Sequence, residues 1–283
     1  MKQVAQELGV RYVLEGSVRN AGNRVRITAQ LIDGLAGTHL WADRFDGSLD
    51  DIFDLQDKAA LSVAGVIEPT LQAAETRRSQ ERPTNDLTAY DFYLRALPHF
   101  HSYQKDRIAQ AIDLLGKAIE RDPDYGSALA LAANCHHLLE VNGWVNDLET
   151  NSRIGISLAR RSLQAAPDDA EVLASAAFSL GYFGEDIDMA VELIDRCLAL
   201  NPSFARGWLW SGVLRLMAGQ PDMAIQHFET SMRLSPRHGF AICLAGIGNA
   251  HFFNGRLEAA AAKLLASLEQ FPNLALTYRL LAA

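Results

Sequence analysis

Pro123, Pro167, Pro202, Pro236 and Pro272 follow one another at intervals of 44, 35, 34 and 36 residues, each just before an apolar helical pattern. Proline cannot continue the helix that precedes it, so it ends one element and sets the entry to the next. Punctuation at so even a period marks a repeat array, in which each unit is one supersecondary element. No such unit buries its apolar face alone, so stacking on neighbours is obligatory.

The side chains between the prolines repeat as well. Trp208-x2-Ser211-Gly212-x2-Arg215 leads to Ala224-x3-Phe228 and Pro236. Leu173-x2-Ala176-Ala177-x2-Leu180 leads to Ala190-x3-Ile194 and Pro202, and Ile242-x2-Ala245-Gly246-x2-Asn249 leads to Ala260-x3-Leu264 and Pro272. Upstream, Ala111-x3-Leu115 precedes Pro123, with Tyr90 and Tyr93 where a first helix belongs. This order of large, small, Ala-x3-large and proline resembles the tetratricopeptide pattern, although its Leu and Tyr positions are replaced. The resemblance implies pairs of antiparallel helices, with small residues letting backbones approach and large ones filling the gap. The 44-residue interval predicts one unit with ten extra residues in its turn, around Val141 to Asp147. Leu274 to Ala283 read as the first helix of a sixth unit, and the closing apolar "LLAA" suggests a truncated array.

Apolar residues make up 49 % of the 283, enough for a core. With 26 Lys and Arg against 34 Asp and Glu, the formal charge of −8 makes nucleic acid a poor default partner. Cys135, Cys197 and Cys243 lie in helical apolar patterns without ligand spacing, as reduced core thiols do. The start MKQVAQELGV has no continuous apolar run, and the uncharged stretch Gly239 to Gly255 carries polar residues and four glycines. Neither reads as a signal peptide or a membrane span, so a cytoplasmic protein is expected.

The first seventy-five residues follow a different period. Val25, Ile27, Ala29 and Leu31 alternate with Arg24, Arg26, Thr28 and Gln30, which predicts a strand with one buried face. Tyr12 to Arg19 reads as its hairpin partner across the turn Asn20-Ala21-Gly22-Asn23, and Thr38 to Phe45 as a third strand. A helix is expected from a cap at Ser48, with Asp51 three residues on, to about Ala74. The fold class expected is therefore mainly α: a tetratricopeptide helical-hairpin solenoid preceded by a small α+β unit. Three strands and two helices are thin for an independent core. "ETRRSQERPTND", Glu75 to Asp86, is charged, holds Pro83 and lacks apolar periodicity. The domains read as 1–75, a linker at 76–87, and a repeat array at 88–283 of about five repeats and part of a sixth.

"LGVRYVLEGSVRNAGNRVRITAQLID" followed by "THLWADRFDGSLDDIFDLQDKAA" resembles the TolB-like amino-terminal domain of bacterial signalling proteins. In that family the segment follows another strand–helix–strand portion. It often joins a tetratricopeptide array behind a class III adenylate/guanylate cyclase domain, or sometimes behind a winged-helix DNA-binding domain. The resemblance implies that this chain is the regulatory part of such a protein, that the effector lies upstream, and that Met1 marks a fragment or an internal start.

Catalytic signatures are missing: no Gly-x-Ser-x-Gly elbow, Walker loop or HExxH occurs. Asp46, Asp50, Asp51, Asp54 and Asp57 lack calcium-loop spacing and read as a solvated helix start. Gly246 and Gly248 in "GIGNAH" lack a third glycine and a preceding strand, and the repeat register assigns them to close packing. His99/His101 and His136/His137 have no partner cluster at ligand spacing. Arg19, Arg24 and Arg26 form a basic stripe read as a solvated strand face. Trp144, in the extended turn, reads either as a partner anchor or as packing onto its own helices.

No catalytic, metal or cofactor residue is therefore expected, and no cofactor. The expected partner is a protein or peptide segment, an effector domain of the same protein among the candidates. It would lie in the groove lined by first helices, with neither nucleic acid nor membrane as partner and an oligomer left open. The expected lining is Phe178 and Tyr182, then Leu209, Val213, Leu216 and Met217, then Ile247 and His251. A missing repeat or a dimer partner covering the same residues is the alternative.

Overall fold

The computed structural model describes residues 2–81, 88–235, 240–272 and 274–282. Packing divides the chain into two compact units, Met1–Glu75 and Thr76–Ala283.

The first unit opens with α1 (Lys2–Leu8), followed by β1 (Tyr12–Ala21), β2 (Arg24–Asp33) and β3 (Thr38–Ser48), then α2 (Ile52–Glu81). The strands form an antiparallel sheet in the order β1-β2-β3. The β1–β2 pairing runs from Tyr12↔Asp33 to Ala21↔Arg24, so the turn tightens to Gly22-Asn23, with Gly22 at φ 59°. Alternation along β2 sends Val25 and Ile27 to one face, where Phe45, Ile52, Leu55 and Ala59 complete a small core. On the opposite face Arg26 donates to Asp46 at 2.6 Å, and that bond, with Arg44 and Arg24 nearby, holds the Asp46 carboxyl below its ordinary range.

Two expectations are corrected here. Ser48 closes β3 and its Oγ accepts from the Asp50 N–H at 3.2 Å, so it shapes the turn and does not cap the helix. The first helical hydrogen bond instead runs to the Asp51 carbonyl, from Leu55. Residues 76–81, expected in a linker, are the last turns of α2, since Glu, Arg and Gln are good helix formers without any apolar stripe. The rest of that segment, Pro83 included, lies outside the described residues, as does Pro236.

Among the described residues the second unit is five antiparallel helix pairs and one further helix. The pairs are α3 (Ala89–Phe100) with α4 (Lys105–Arg121), α5 (Gly126–Val141) with α6 (Leu148–Ala165), and α7 (Ala170–Tyr182) with α8 (Ile187–Leu200). They continue with α9 (Ala205–Met217) and α10 (Pro221–Leu234), then α11 (Phe240–Phe253) and α12 (Leu257–Gln270), before α13 (Ala275–Leu281). Thr88 and Asp91 form a reciprocal capping box at α3, and Asp147, Asp169 and Asp186 cap α6, α7 and α8.

Each second helix buries the same three positions: Ala111, Leu115 and Ala118; Gly155, Ala159 and Ser162; Ala190, Ile194 and Cys197; Ala224, Phe228 and Ser231; Ala260, Leu264 and Ser267. The third of each set offers its carbonyl to the N–H just past the helix end, at 2.9–3.0 Å throughout. Ser231 and Ser267 also donate to the carbonyls of Ala205 and Ala241, one repeat apart, which ties each second helix to the start of its own first helix.

The long interval does not place all its extra residues in a turn. Helices α5 and α6 have 16 and 18 residues against 13 and 14 in α7 and α8, so most of the addition is helical. Trp144 packs back onto the core that α3, α4 and α5 share, and its backbone N–H donates to the Leu139 carbonyl at 2.8 Å.

Candidate interaction surface

Three successive first helices, α5, α7 and α9, carry a continuous row of rings. His137 meets Phe178 edge-on at 4.7 Å and Tyr182 edge-on at 4.2 Å between centroids. Phe178 stacks on Trp210 at 5.5 Å with planes 9° apart. Edge-to-face and offset-stacked pairs are the favoured arrangements of aromatic quadrupoles, so the row stiffens itself. Its far end is charged: Arg206 lies 5.9 Å from the Trp210 ring and pairs with Glu171 at 3.2 Å. Glu171 and Arg206 sit 35 residues apart, at the same position in consecutive repeats.

Desolvation shapes the protonation of the row. Burial among the rings holds the His137 imidazole down to about 4, so it is neutral at pH 7. Burial likewise pushes the Tyr182 hydroxyl upward. At the end of α3, His101 is exposed to solvent yet surrounded by protein, and that surrounding, with Arg206 as the second cause, lowers it to about 4. Tyr103 beside it has a left-handed backbone, φ 51°, an uncommon conformation for a residue other than glycine.

The expected lining separates into two groups. Phe178 and Tyr182 lie in the ring row, Met217 is 44 % exposed, and His251 is half-buried with its Nδ1 unpartnered. Ile247, at 2 % exposure, belongs to the core and not to a groove. Leu209, Val213 and Leu216 are partly buried against that same core of Ala224, Phe228, Cys243 and Ile247. Ile247 shares that cluster with Phe228, against whose ring the bare Gly246 backbone lies.

Four residues of the row were not anticipated: His137, Glu171, Arg206 and Trp210. One signal was available, because Trp210 follows Arg206 by four residues and Met217 follows Trp210 by seven, on one face of α9. A charge of opposite sign one period upstream, at Glu171, is the second half of that signal.

Among the described residues no group of three His, Cys, Asp or Glu side chains is placed to hold a metal ion. Nor is any described helix long and apolar enough to cross a membrane. Burial pushes the Cys135 and Cys243 thiols up, as for inert core residues.

No family model matches the chain. It is 36 % identical over 163 residues to "Putative adenylate cyclase 3" of Rhizobium meliloti (strain 1021), an alignment covering 58 % of this chain and 28 % of that protein. The chain thus spans less than a third of the length of the curated relative it matches. Among solved structures it is similar to TTC0263, a thermophilic TPR protein of Thermus thermophilus, with TM-score 0.53 and 18 % identity, over 69 % of this chain and 98 % of that one. It is also similar to a chain of the APC/C hetero-tetramer Cut9-Hcn1, with TM-score 0.55 and 19 % identity, over 80 % of this chain and 41 % of that one. The fold is therefore mainly helical, of the tetratricopeptide solenoid type, with a small three-stranded sheet.

Proposed function

We propose that this chain is a non-catalytic interaction module of a larger bacterial signalling protein, and that its first helices hold a peptide segment against the ring row. The observation that carries this reading is the alignment of His137, Phe178, Tyr182 and Trp210 across α5, α7 and α9. Rigid aromatic side chains contribute large contact area at low entropic cost, and so anchor partners well. An apolar row with one paired charge at its end suits a hydrophobic helix or extended segment better than a free carboxylate.

The likeness to a protein named as an adenylate cyclase supports a second element of the reading. In it, residues 1–75 are a partial TolB-like domain, residues 88–283 the repeat array, and the module regulates a catalytic domain carried elsewhere. The bound segment then comes from that effector domain or from a separate protein. On this reading the chain by itself turns over neither ATP nor GTP.

The test is selection of short peptides from a displayed library on the immobilised chain, followed by titration in solution. Binders should share apolar or aromatic anchors and lose affinity to the Phe178→Ser and Trp210→Ser variants. A library yielding no binder, or binders indifferent to both changes, would overturn the groove reading. Cyclic-nucleotide formation by the purified chain with Mg²⁺ or Mn²⁺ would overturn the non-catalytic one.

A further inference from the structure

Four of the five turns inside the helix pairs pass through the left-handed region on a glycine: Gly143, Gly184, Gly219 and Gly255, at φ between 67° and 82°. The turn between α3 and α4 does so on Tyr103, at φ 51°, and among the described residues no other side chain is held that way. A Cβ in this region crowds the carbonyl that follows, which is why glycine is the usual choice. Strain kept at one turn and absent from its four neighbours argues for a use of the side chain. Packing does not supply one. The Tyr103 ring leans on Phe100, 6.5 Å between centroids, and Phe100 meets His101 edge-on at 5.2 Å, yet Tyr103 and His101 both stay exposed.

Arg206, at the start of α9, is close enough for its charge to act on both. After burial itself it is what lowers His101, and it offsets part of the rise that burial gives the Tyr103 hydroxyl. Its partner Glu171 acts on Tyr93 and Tyr125 and on neither of these two, so the space toward His101 and Tyr103 sees the positive member of the pair. The guanidinium is set between rings, 6.0 Å from Phe204 and 5.9 Å from Trp210, and bonds Glu171 through Nη1 at 3.2 Å. A guanidinium carries five N–H donors in a fixed fork, so Nε and Nη2 are left to bind something else. Among the described residues the side chains of His101 and Tyr103 make no hydrogen bond.

We propose that Tyr103, His101 and Arg206 form a polar end to the groove, which takes an Asp or Glu side chain of the bound segment beside the apolar residue seated on Trp210. The inference rests on the groove reading of the ring row and adds the chemistry of one end. The Tyr103 hydroxyl, the single N–H of a neutral His101 and the open edge of Arg206 are all donors, while a carboxylate only accepts. Charge-assisted bonds of this kind are about twice as strong as neutral ones, so the acid is preferred over its amide. From Trp210 to Tyr182 the row is aromatic and uncharged. The acid therefore stands at one end of the segment and fixes its direction along the groove.

The experiment uses the whole chain and the displayed peptide library, read for sequence as well as affinity. Binders should carry Asp or Glu at a fixed distance on one side of their apolar anchor. Changing that acid to its amide in a synthetic binder should weaken binding to the parent chain about tenfold. Against Arg206→Gln the same change should matter less than about twofold, because the partner is already gone. Tyr103→Gly should also lose about tenfold in affinity, while its urea midpoint does not fall, since the strain leaves with the side chain. Binders that need Phe178 and Trp210 but carry no acid, or whose acid matters equally to Arg206→Gln, would overturn this proposal and leave the groove reading standing. A lower urea midpoint for Tyr103→Gly would make Tyr103 a packing residue and overturn its place in the site. A library without binders would overturn both readings.

Discussion

The ring of Phe228 lies against the bare backbone of Gly246: a Cβ built on that glycine would come within 2.4 Å of the ring Cζ. Gly212, one repeat earlier, is placed likewise at 2.6 Å, so the ring is held between α9 and α11 with no room for a methyl group on either side. The side chain of one second helix thereby sets the spacing of two consecutive first helices. In such an array, stability is a sum of neighbour interfaces, so this contact acts on two of them.

Gly246→Ala should therefore destabilise by about 1–3 kcal/mol, the usual cost of overpacking, despite alanine's better helix propensity. Gly116, inside α4, has nothing within 4 Å of its would-be Cβ. Gly116→Ala should stabilise by about 0.5–1 kcal/mol. Urea denaturation of both variants measures the contrast, and equal effects would refute the close-packing account of Gly246.

A buried polar contact ties α7 to α5. The Ser179 hydroxyl donates to the Asn134 side-chain oxygen at 2.8 Å, and both residues are almost fully buried. Ser179→Ala leaves that oxygen without its partner and should cost about 1–3 kcal/mol. Adding Asn134→Leu removes the stranded group and should recover part of the loss. A double variant less stable than the single one would count against the desolvation argument.

Acid should weaken the array through His137. Its folded pKa of about 4 lies below the ordinary 6.5, so between those values the unfolded chain binds more protons than the folded one. The contribution is intact above pH 6.5 and is lost as pH falls toward 4, at no more than about 1.4 kcal/mol per pH unit. His137→Gln should flatten the pH dependence of stability across that window relative to the parent. Urea melts at about pH 7 and about pH 5 provide the comparison, and parallel slopes would show that His137 is not desolvated.

Much of this was legible in the residues. The Ala224-x3-Phe228 spacing and the small residues at 212 and 246 state the helix pairing directly, because a 3.6-residue period fixes which side chains share a face. What the period does not encode is how far apart neighbouring helices sit. Ile247 occupies the position equivalent to Val213 and Phe178, yet it is core while Val213 is partly buried and Phe178 lies in the ring row. His137 was hidden for a different reason: counted from Pro123 it holds the repeat position that Gly181 and Leu216 hold in α7 and α9, which the period does not mark as a partner of Phe178 and Tyr182. Ser48 shows the same limit in the first unit, where strand pairing with Arg24 outcompetes a plausible local cap.

The groove reading makes its sharpest demand at Tyr182 and Met217, equivalent positions in consecutive repeats, of which Met217 is open to solvent and Tyr182 lies in the ring row. If they anchor a peptide, replacing each with Ser should weaken binding of a selected ligand by about 1–3 kcal/mol. Helical content should be unchanged, because the residues that hold α7 and α9 in place are Leu173, Ala177 and Leu214 in the core. Tyr182→Ser also removes a ring partner of His137, so its effect on the melting temperature should exceed that of Met217→Ser. Calorimetric titration paired with circular dichroism distinguishes the cases. Unchanged affinity with a normal spectrum removes these residues from the binding surface, and lost helicity makes them part of the core.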